Sequence, residues 1–89
     1  MSPISVRPAS AEEQRHSQAW ERWESGAIEH FEYHYERDVR FVVQQGQALI
    51  HCAGHPPVAI AAGSLVSIAR GTHGVWAISA AIVNRYQYL

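Results

Sequence analysis

From Gly26 to the C-terminus, apolar and polar residues alternate with a period of two, which is typical of β-strands. In the first such run Phe31, Tyr33 and Tyr35 share one face, and the residues between them are acidic or histidine. Similar short runs follow at 39–44, 47–52, 58–61, 65–69, 75–79 and 82–88. Short strands at this spacing predict an all-β sandwich or barrel, and no helical stretch is long enough for a parallel βαβ unit.

The first 19 residues do not continue this alternation. They contain Pro3, Pro8 and a polar run, in which Ser10 and Glu13 have the spacing of a helix-capping box. We expect residues 1–19 to be a flexible N-terminal lead-in, with a short helical turn as the alternative. Residues 20–89 are then expected to form a single β-barrel domain.

Charge and composition narrow the range of partners. All eight acidic residues lie within the first 38 positions, and the seven arginines do not form the clustered basic face of a nucleic-acid-binding protein. The longest weakly polar stretch, 58–69, is shorter than the ~20 residues that span a bilayer. We therefore expect neither a nucleic-acid partner nor a membrane partner. The single cysteine and the absence of a signal peptide predict a cytoplasmic protein.

Two blocks of the chain resemble the conserved motifs of small single-domain cupins. The first block, Phe31 to Gly46, has alternating aromatic residues that lead into a strand and a glycine turn. The second, Ala62 to Trp76, has a glycine turn, a strand, and a turn before a tryptophan strand. Together with the ending at 82–86, the resemblance extends from residue 20 to the C-terminus. It is to the relatives of ureidoglycine aminohydrolase and the ethanolamine-utilisation cupins, and it implies a cupin-type jelly-roll barrel, the double-stranded β-helix.

The resemblance also implies where a metal would be held. Metal-binding cupins use two histidines and a glutamate in the first block and a histidine in the second. Here the glutamate position falls on Val39 and the second-block histidine position on Gly74, and neither residue has a ligating side chain. We therefore expect no metal and no other cofactor.

The two remaining ligand positions depend on a one-residue choice of spacing. They fall either on Glu32 and His34 or on Tyr33 and Tyr35, and such a slip exchanges the two faces of a strand. If a divalent metal (Zn, Mn, Fe or Ni) does bind, we expect Glu32, His34 and His73 to hold it, because carboxylate and imidazole are suitable ligands. The competing interpretation places Glu32 and His34 on the solvent face, with the aromatic residues in the core.

Large aromatic side chains are numerous for so small a barrel. Some are expected to line an open barrel mouth and to bind a small polar organic ligand, with tyrosine hydroxyls and an arginine fixing its polar groups. Core packing is the alternative role for each of them. The predicted ligand-binding residues are Tyr33, Tyr35, Arg40, Phe41, Trp76 and Tyr86.

Two further tryptophans, Trp20 and Trp23, precede the barrel. In small cupins an N-terminal strand often packs on a second subunit, so the resemblance implies a homodimer formed through the segment with Trp20 and Trp23. The alternative is that this segment covers the open end of its own barrel.

The sequence leaves three functions open. The first is a cupin that binds a small polar organic ligand without standard metal catalysis. The second is a metal-dependent cupin enzyme that acts on a small amide, ureido or sugar-like substrate. The third is a non-catalytic interaction subunit. No catalytic residue is identified, because Cys52 has the placement of a small buried residue and no acid follows residue 38.

Overall fold

The computed structural model describes residues 3–89 and confirms the all-β fold class. The strands are β1 (Ile4–Pro8), β2 (Glu21–Glu24), β3 (His30–His34), β4 (Val39–His51), β5 (Val58–Ala61), β6 (Ser64–Ile68) and β7 (His73–Tyr88). A helix, α1 (Ala11–His16), and a 3₁₀ turn (Ser17–Ala19) lie between β1 and β2. Within residues 3–89, neither helical segment has the length or the apolar character that crossing a bilayer requires.

The long strands β4 and β7 pair with each other and organise the whole structure. The beginning of β4 and the end of β7 lie in a first half-sheet with the order β1-β6-β4-β7-β2. The other halves of these two strands form a second half-sheet, in which β5 flanks β4 and β3 flanks β7. Apolar side chains of the two half-sheets contact each other, as the rings of Phe41 and Trp76 show at a centroid distance of 5.8 Å.

Both long strands bend where the half-sheets meet. The pairing of β4 with β7 shifts register between Val43 and Ala48, which is the mark of β-bulges. Gly46 lies within this bend with φ of +96°, and a Cβ at this position would overlap the carbonyl oxygens of Ala80 and Ala81. The runs at 39–44 and 47–52 therefore form one bent strand rather than the two that we predicted. The same holds for 75–79 and 82–88, which are both part of β7.

The N-terminal segment differs from the flexible lead-in that we predicted for residues 1–19. β1 pairs antiparallel with β6, from Ile4 opposite Ile68, and becomes the edge of the first half-sheet. Ile4 and Val6 do alternate with polar residues, but a run of five residues bounded by prolines is too short to identify a strand. Met1 and Ser2 lie outside the described residues.

The alternative, a short helical turn, is confirmed for α1. The Glu13 backbone N–H donates to Ser10 Oγ at 3.1 Å, and the Ser10 N–H donates to Glu13 Oε1 at 2.9 Å, which completes the capping box. Arg7 on β1 also donates two hydrogen bonds to this carboxylate, at 2.7 and 2.6 Å. These bonds from Arg7 and the bond from Ser10 lower the pKa of Glu13 to about 2. The helix is thereby joined to the neighbouring edge strand.

Candidate functional site

A cavity of about 200 Å³ lies between the two half-sheets, and most of its wall is aromatic. It is smaller than the several hundred Å³ of a drug-sized ligand site. Because strand side chains alternate between faces, the residues that β3 and the beginning of β4 contribute to it are alternate ones, as are those from the end of β7. The residues that line it are Trp23, Phe31, Tyr33, Tyr35, Val39, Phe41, Trp76, Asn84, Tyr86 and Tyr88.

The inner part of the cavity is a cluster of aromatic rings. Phe31 and Trp76 are cross-strand partners, and their rings stack at 5.1 Å with an interplanar angle of 22°. Trp23, from β2, contacts both rings at centroid distances of 5.5 and 6.0 Å. Trp76 is only 2% exposed, so this cluster is also part of the hydrophobic core. Packing and cavity lining are therefore roles of the same side chains.

A hydrogen bond fixes the tyrosine at the base of this wall. The indole Nε1 of Trp76 donates to the Tyr35 hydroxyl at 3.1 Å, and both groups are buried. Burial raises the pKa of Tyr35 to about 12, although the hydrogen bond from Trp76 acts in the opposite direction. Tyr35 therefore stays a neutral phenol at physiological pH.

Two half-exposed tyrosines form the mouth of the cavity. Tyr33 is 46% exposed and Tyr88 is 39% exposed, and they come from opposite half-sheets. The pKa of the Tyr88 phenol is raised above its ordinary value. The largest cause is hydrogen bonding with Tyr33, and the second is burial. The Arg37 guanidinium lies over the Tyr88 ring, 5.1 Å from its centroid, and places a positive charge beside this tyrosine.

Asn84 is the polar exception in the wall, and the sequence analysis did not identify it. Its side chain is 4% exposed, and its Oδ1 has no hydrogen-bond partner among the described residues. It lies on β7 opposite Trp23 and two residues before Tyr86, so all three side chains share the inner face. The signal was present in the sequence, since Asn84 has the same parity in the strand as the apolar Ile82 and the aromatic Tyr86.

The structure brings together five of the six predicted ligand-binding residues. The predicted residues that line the cavity are Tyr33, Tyr35, Phe41, Trp76 and Tyr86. The sixth, Arg40, does not line the cavity. It lies between Val39 and Phe41, which both face inward, and it is therefore directed to the outer face. There its guanidinium stacks over Trp20 at 5.1 Å from the ring centroid, and Nη2 donates to Gln87 Oε1 at 3.3 Å.

The three conditional metal ligands lie on the outer face of the second half-sheet. Glu32, His34 and His73 are all exposed, and His34 is the cross-strand partner of His73. Glu32 Oε1 and His73 Nε2 are 3.2 Å apart. In the part of the chain that the structure describes, no group of three histidine, cysteine or acidic side chains converges as a metal site would require. This placement agrees with the competing interpretation, in which Glu32 and His34 lie on the solvent face of β3.

Of the two spacings that the cupin resemblance left open, the one that falls on Tyr33 and Tyr35 faces the cavity. The positions directed into the cavity are Tyr33 and Tyr35 from the first block and Val39 from β4. Gly74 also faces inward, because a Cβ there would lie 3.3 Å from Tyr35 Cε2. These four positions offer no imidazole and no carboxylate, and Tyr35 already accepts a hydrogen bond as a neutral phenol. The residues present therefore do not fit the metal centre of metal-binding cupins.

The two N-terminal tryptophans contact their own chain. Trp23 packs in the aromatic cluster, and Trp20 stacks under Arg40 and accepts a hydrogen bond on its backbone oxygen from Arg85 Nη1 at 3.3 Å. Trp23 therefore packs inside its own barrel, whereas Trp20 lies beside Arg40 on the outer face, and coverage of the open end by this segment stays a prediction. The homodimer through this segment stays a prediction.

Comparison with known proteins adds evidence on the fold. No protein-family model and no curated protein matches the chain. A DUF861 family protein from Thermotoga maritima has a similar solved structure, with a TM-score of 0.89 over 97% of this chain and 99% of that chain. The two sequences are 16% identical, so the similarity establishes the fold and leaves the function to be argued from the site. DUF861 is a cupin-like family, and the chain has an all-β, cupin-type jelly-roll fold.

Proposed function

We propose that this protein binds a small organic molecule in the aromatic cavity and does so without a metal. The observation that carries the proposal is the buried Asn84 amide in a mostly aromatic wall, because its Oδ1 has no hydrogen-bond partner in the described chain. A buried acceptor without a partner costs about 1–3 kcal/mol. A ligand that supplies a donor removes this cost, and few convergent polar groups in an apolar cavity are the usual composition of a ligand site.

The size of the cavity limits the ligand. A volume of about 200 Å³ corresponds to roughly six or seven water molecules at ~30 Å³ each. A molecule with one ring and a few substituents fills this space, whereas a sugar chain or a dinucleotide exceeds its volume. The aromatic wall favours a ligand with an apolar or aromatic body.

The metal-dependent cupin enzyme, acting on a small amide, ureido or sugar-like substrate, is the less favoured function. Its chemistry requires a bound metal that activates the substrate or a water molecule. The positions of the cupin pattern that face the cavity, Tyr33, Tyr35, Val39 and Gly74, supply no imidazole and no carboxylate for a metal. The narrower relationship to ureidoglycine aminohydrolase stays a prediction, as does the cytoplasmic location.

The proposal can be tested with a panel of small ring compounds. A ligand present at 100 times its dissociation constant stabilises the folded state by about 2.7 kcal/mol. For a domain of this size that corresponds to a rise in the melting temperature of roughly ten degrees or more. We expect several single-ring compounds to raise the melting temperature measured by thermal-shift fluorescence.

Two neighbouring residues of β3 provide a matched pair of variants. Tyr33→Ala removes a ring from the mouth. It is expected to weaken the binding of ring compounds about tenfold, because stacking of a base on an aromatic side chain contributes ~1–3 kcal/mol. Glu32→Ala changes the adjacent residue on the outer face and should leave the affinity unchanged. If no compound binds, or if both variants bind the compounds as tightly as the native protein does, the cavity is not a ligand site. The interaction-subunit function then gains support.

A further inference from the structure

The chemistry of Asn84 specifies the ligand more narrowly than its size does. A carboxamide presents an acceptor, Oδ1, beside a donor group, Nδ2. One edge of a ligand can pair with both atoms if it has an N–H next to a carbonyl oxygen. Paired hydrogen bonds of this kind are the means by which asparagine recognises the edge of a nucleic-acid base.

The surroundings of Asn84 require such an edge to belong to a flat molecule. Asn84 lies opposite Trp23 on the neighbouring strand, and Tyr86 follows on the same face. On the other half-sheet the rings of Phe31 and Trp76 form a stacked wall. A ligand that pairs with the amide is therefore in contact with aromatic side chains, which favour planar rings because these can stack on them.

The inner cavity is also uncharged. Of the residues that line it in the described chain, none is acidic or basic. A charged group buried there would lose its hydration without gaining a counter-ion, which is strongly unfavourable. The Arg37 guanidinium is exposed beside Tyr88 at the mouth, so it does not neutralise a charge at the level of Asn84.

We propose that the ligand is a neutral, planar cyclic amide, of the kind found in pyridones and free pyrimidine bases, and that its N–H and C=O pair with the Asn84 side chain. This inference rests on the proposed function, because it requires that the aromatic cavity is a ligand site. It assigns Asn84 as the residue that determines specificity and the rings as the surface that contributes general affinity.

Three single-ring compounds of nearly equal size test this assignment. 2-Pyridone has the complete amide edge, phenol has one hydroxyl, and toluene has no polar edge. In chemical-shift titrations of the native protein, we expect 2-pyridone to bind about tenfold more tightly than phenol, which corresponds to one additional hydrogen bond. Toluene should bind most weakly.

Variants on the two faces of β7 then locate the preference. Asn84→Leu should bind 2-pyridone and phenol equally, whereas Gln87→Leu, on the outer face of the same strand, should keep the tenfold preference. Asn84→Asp retains the shape of the side chain but lacks the donor, and it should also lose the preference. Circular dichroism establishes that each variant is folded.

The outcomes separate this inference from the function on which it rests. If 2-pyridone and phenol bind the native protein equally, or if Asn84→Leu keeps the preference, the cyclic-amide assignment is overturned while the cavity remains a ligand site. If none of the three compounds binds, the proposed function itself fails. The comparison in the native protein decides the first question even if the Asn84 variants do not fold.

Discussion

The two faces of β3 both carry residues with the chemistry of a functional site, aromatic on one face and acidic or histidine on the other. The fold gives the two faces different environments. On the inner face, Phe31 and, directly after the strand, Tyr35 contact side chains from other strands, and the convergence of β2, β3, β4 and β7 creates a cavity. On the outer face, Glu32 and His34 remain exposed, and the contact found there is that of Glu32 with His73 on the adjacent strand. A set of suitable side chains on one strand becomes a site only when other elements converge on the same face.

The largest expected effect of this difference is on stability. Trp76→Ala removes the ring that contacts Trp23, Phe31 and Phe41, and truncation of a buried aromatic residue costs about 3–5 kcal/mol. Much of a small domain's stability is then lost, because small domains are stable by only about 5–15 kcal/mol. Urea unfolding followed by circular dichroism measures the change. A loss below about 1 kcal/mol would show that the inner cluster is not the core.

A smaller effect is expected for Tyr35→Phe at neutral pH. The substitution leaves the buried Trp76 N–H without its acceptor, which costs about 1–3 kcal/mol. The hydroxyl also makes this difference dependent on pH, because its pKa is raised to about 12 in the folded protein and is near 10 in an unfolded chain.

The sign of the pH dependence follows from these two pKa values. Below pH 10 the phenol is protonated in both states, and its contribution to stability is complete. Between pH 10 and 12 the unfolded chain releases the proton while the folded protein retains it, so the native protein loses up to about 2–3 kcal/mol relative to Tyr35→Phe. We therefore expect the stability difference between the two proteins to shrink as the pH rises in urea titrations. A difference that stays constant from pH 8 to 11.5 contradicts the burial of this hydroxyl.

Much of this arrangement was predictable from the alternation of residues. The parity of β3 placed the aromatic residues on a common face, and the same rule applied to Phe41 and Trp76 on their strands. Arg40 was assigned to the cavity for its chemistry although its parity, opposite to that of Phe41, directs it outward. Where parity and residue chemistry disagreed, parity was the better guide.

Other features depended on contacts that strand periodicity does not encode. The bend at Gly46 joins two predicted strands into one, because a glycine with positive φ lets the chain pass close to Ala80 and Ala81 without ending its pairing. β1 gains its order from β6, which is 60 residues away in sequence. The parity of Asn84 placed it on the same face as Ile82 and Tyr86, but its burial depends on its position opposite Trp23 on β2, which periodicity does not encode.

The smallest effects are expected on the outer face of β3. Glu32→Ala and His73→Ala each remove one member of an exposed pair, and such pairs contribute about 0–1 kcal/mol. Added Zn²⁺ should not raise the melting temperature of the native protein or of either variant. A stable zinc site needs three or four protein ligands, and this pair supplies two. A zinc-dependent rise that both substitutions abolish would mean that His34 joins the pair in solution. The outer face would then be the chemical site and the aromatic cavity only a core.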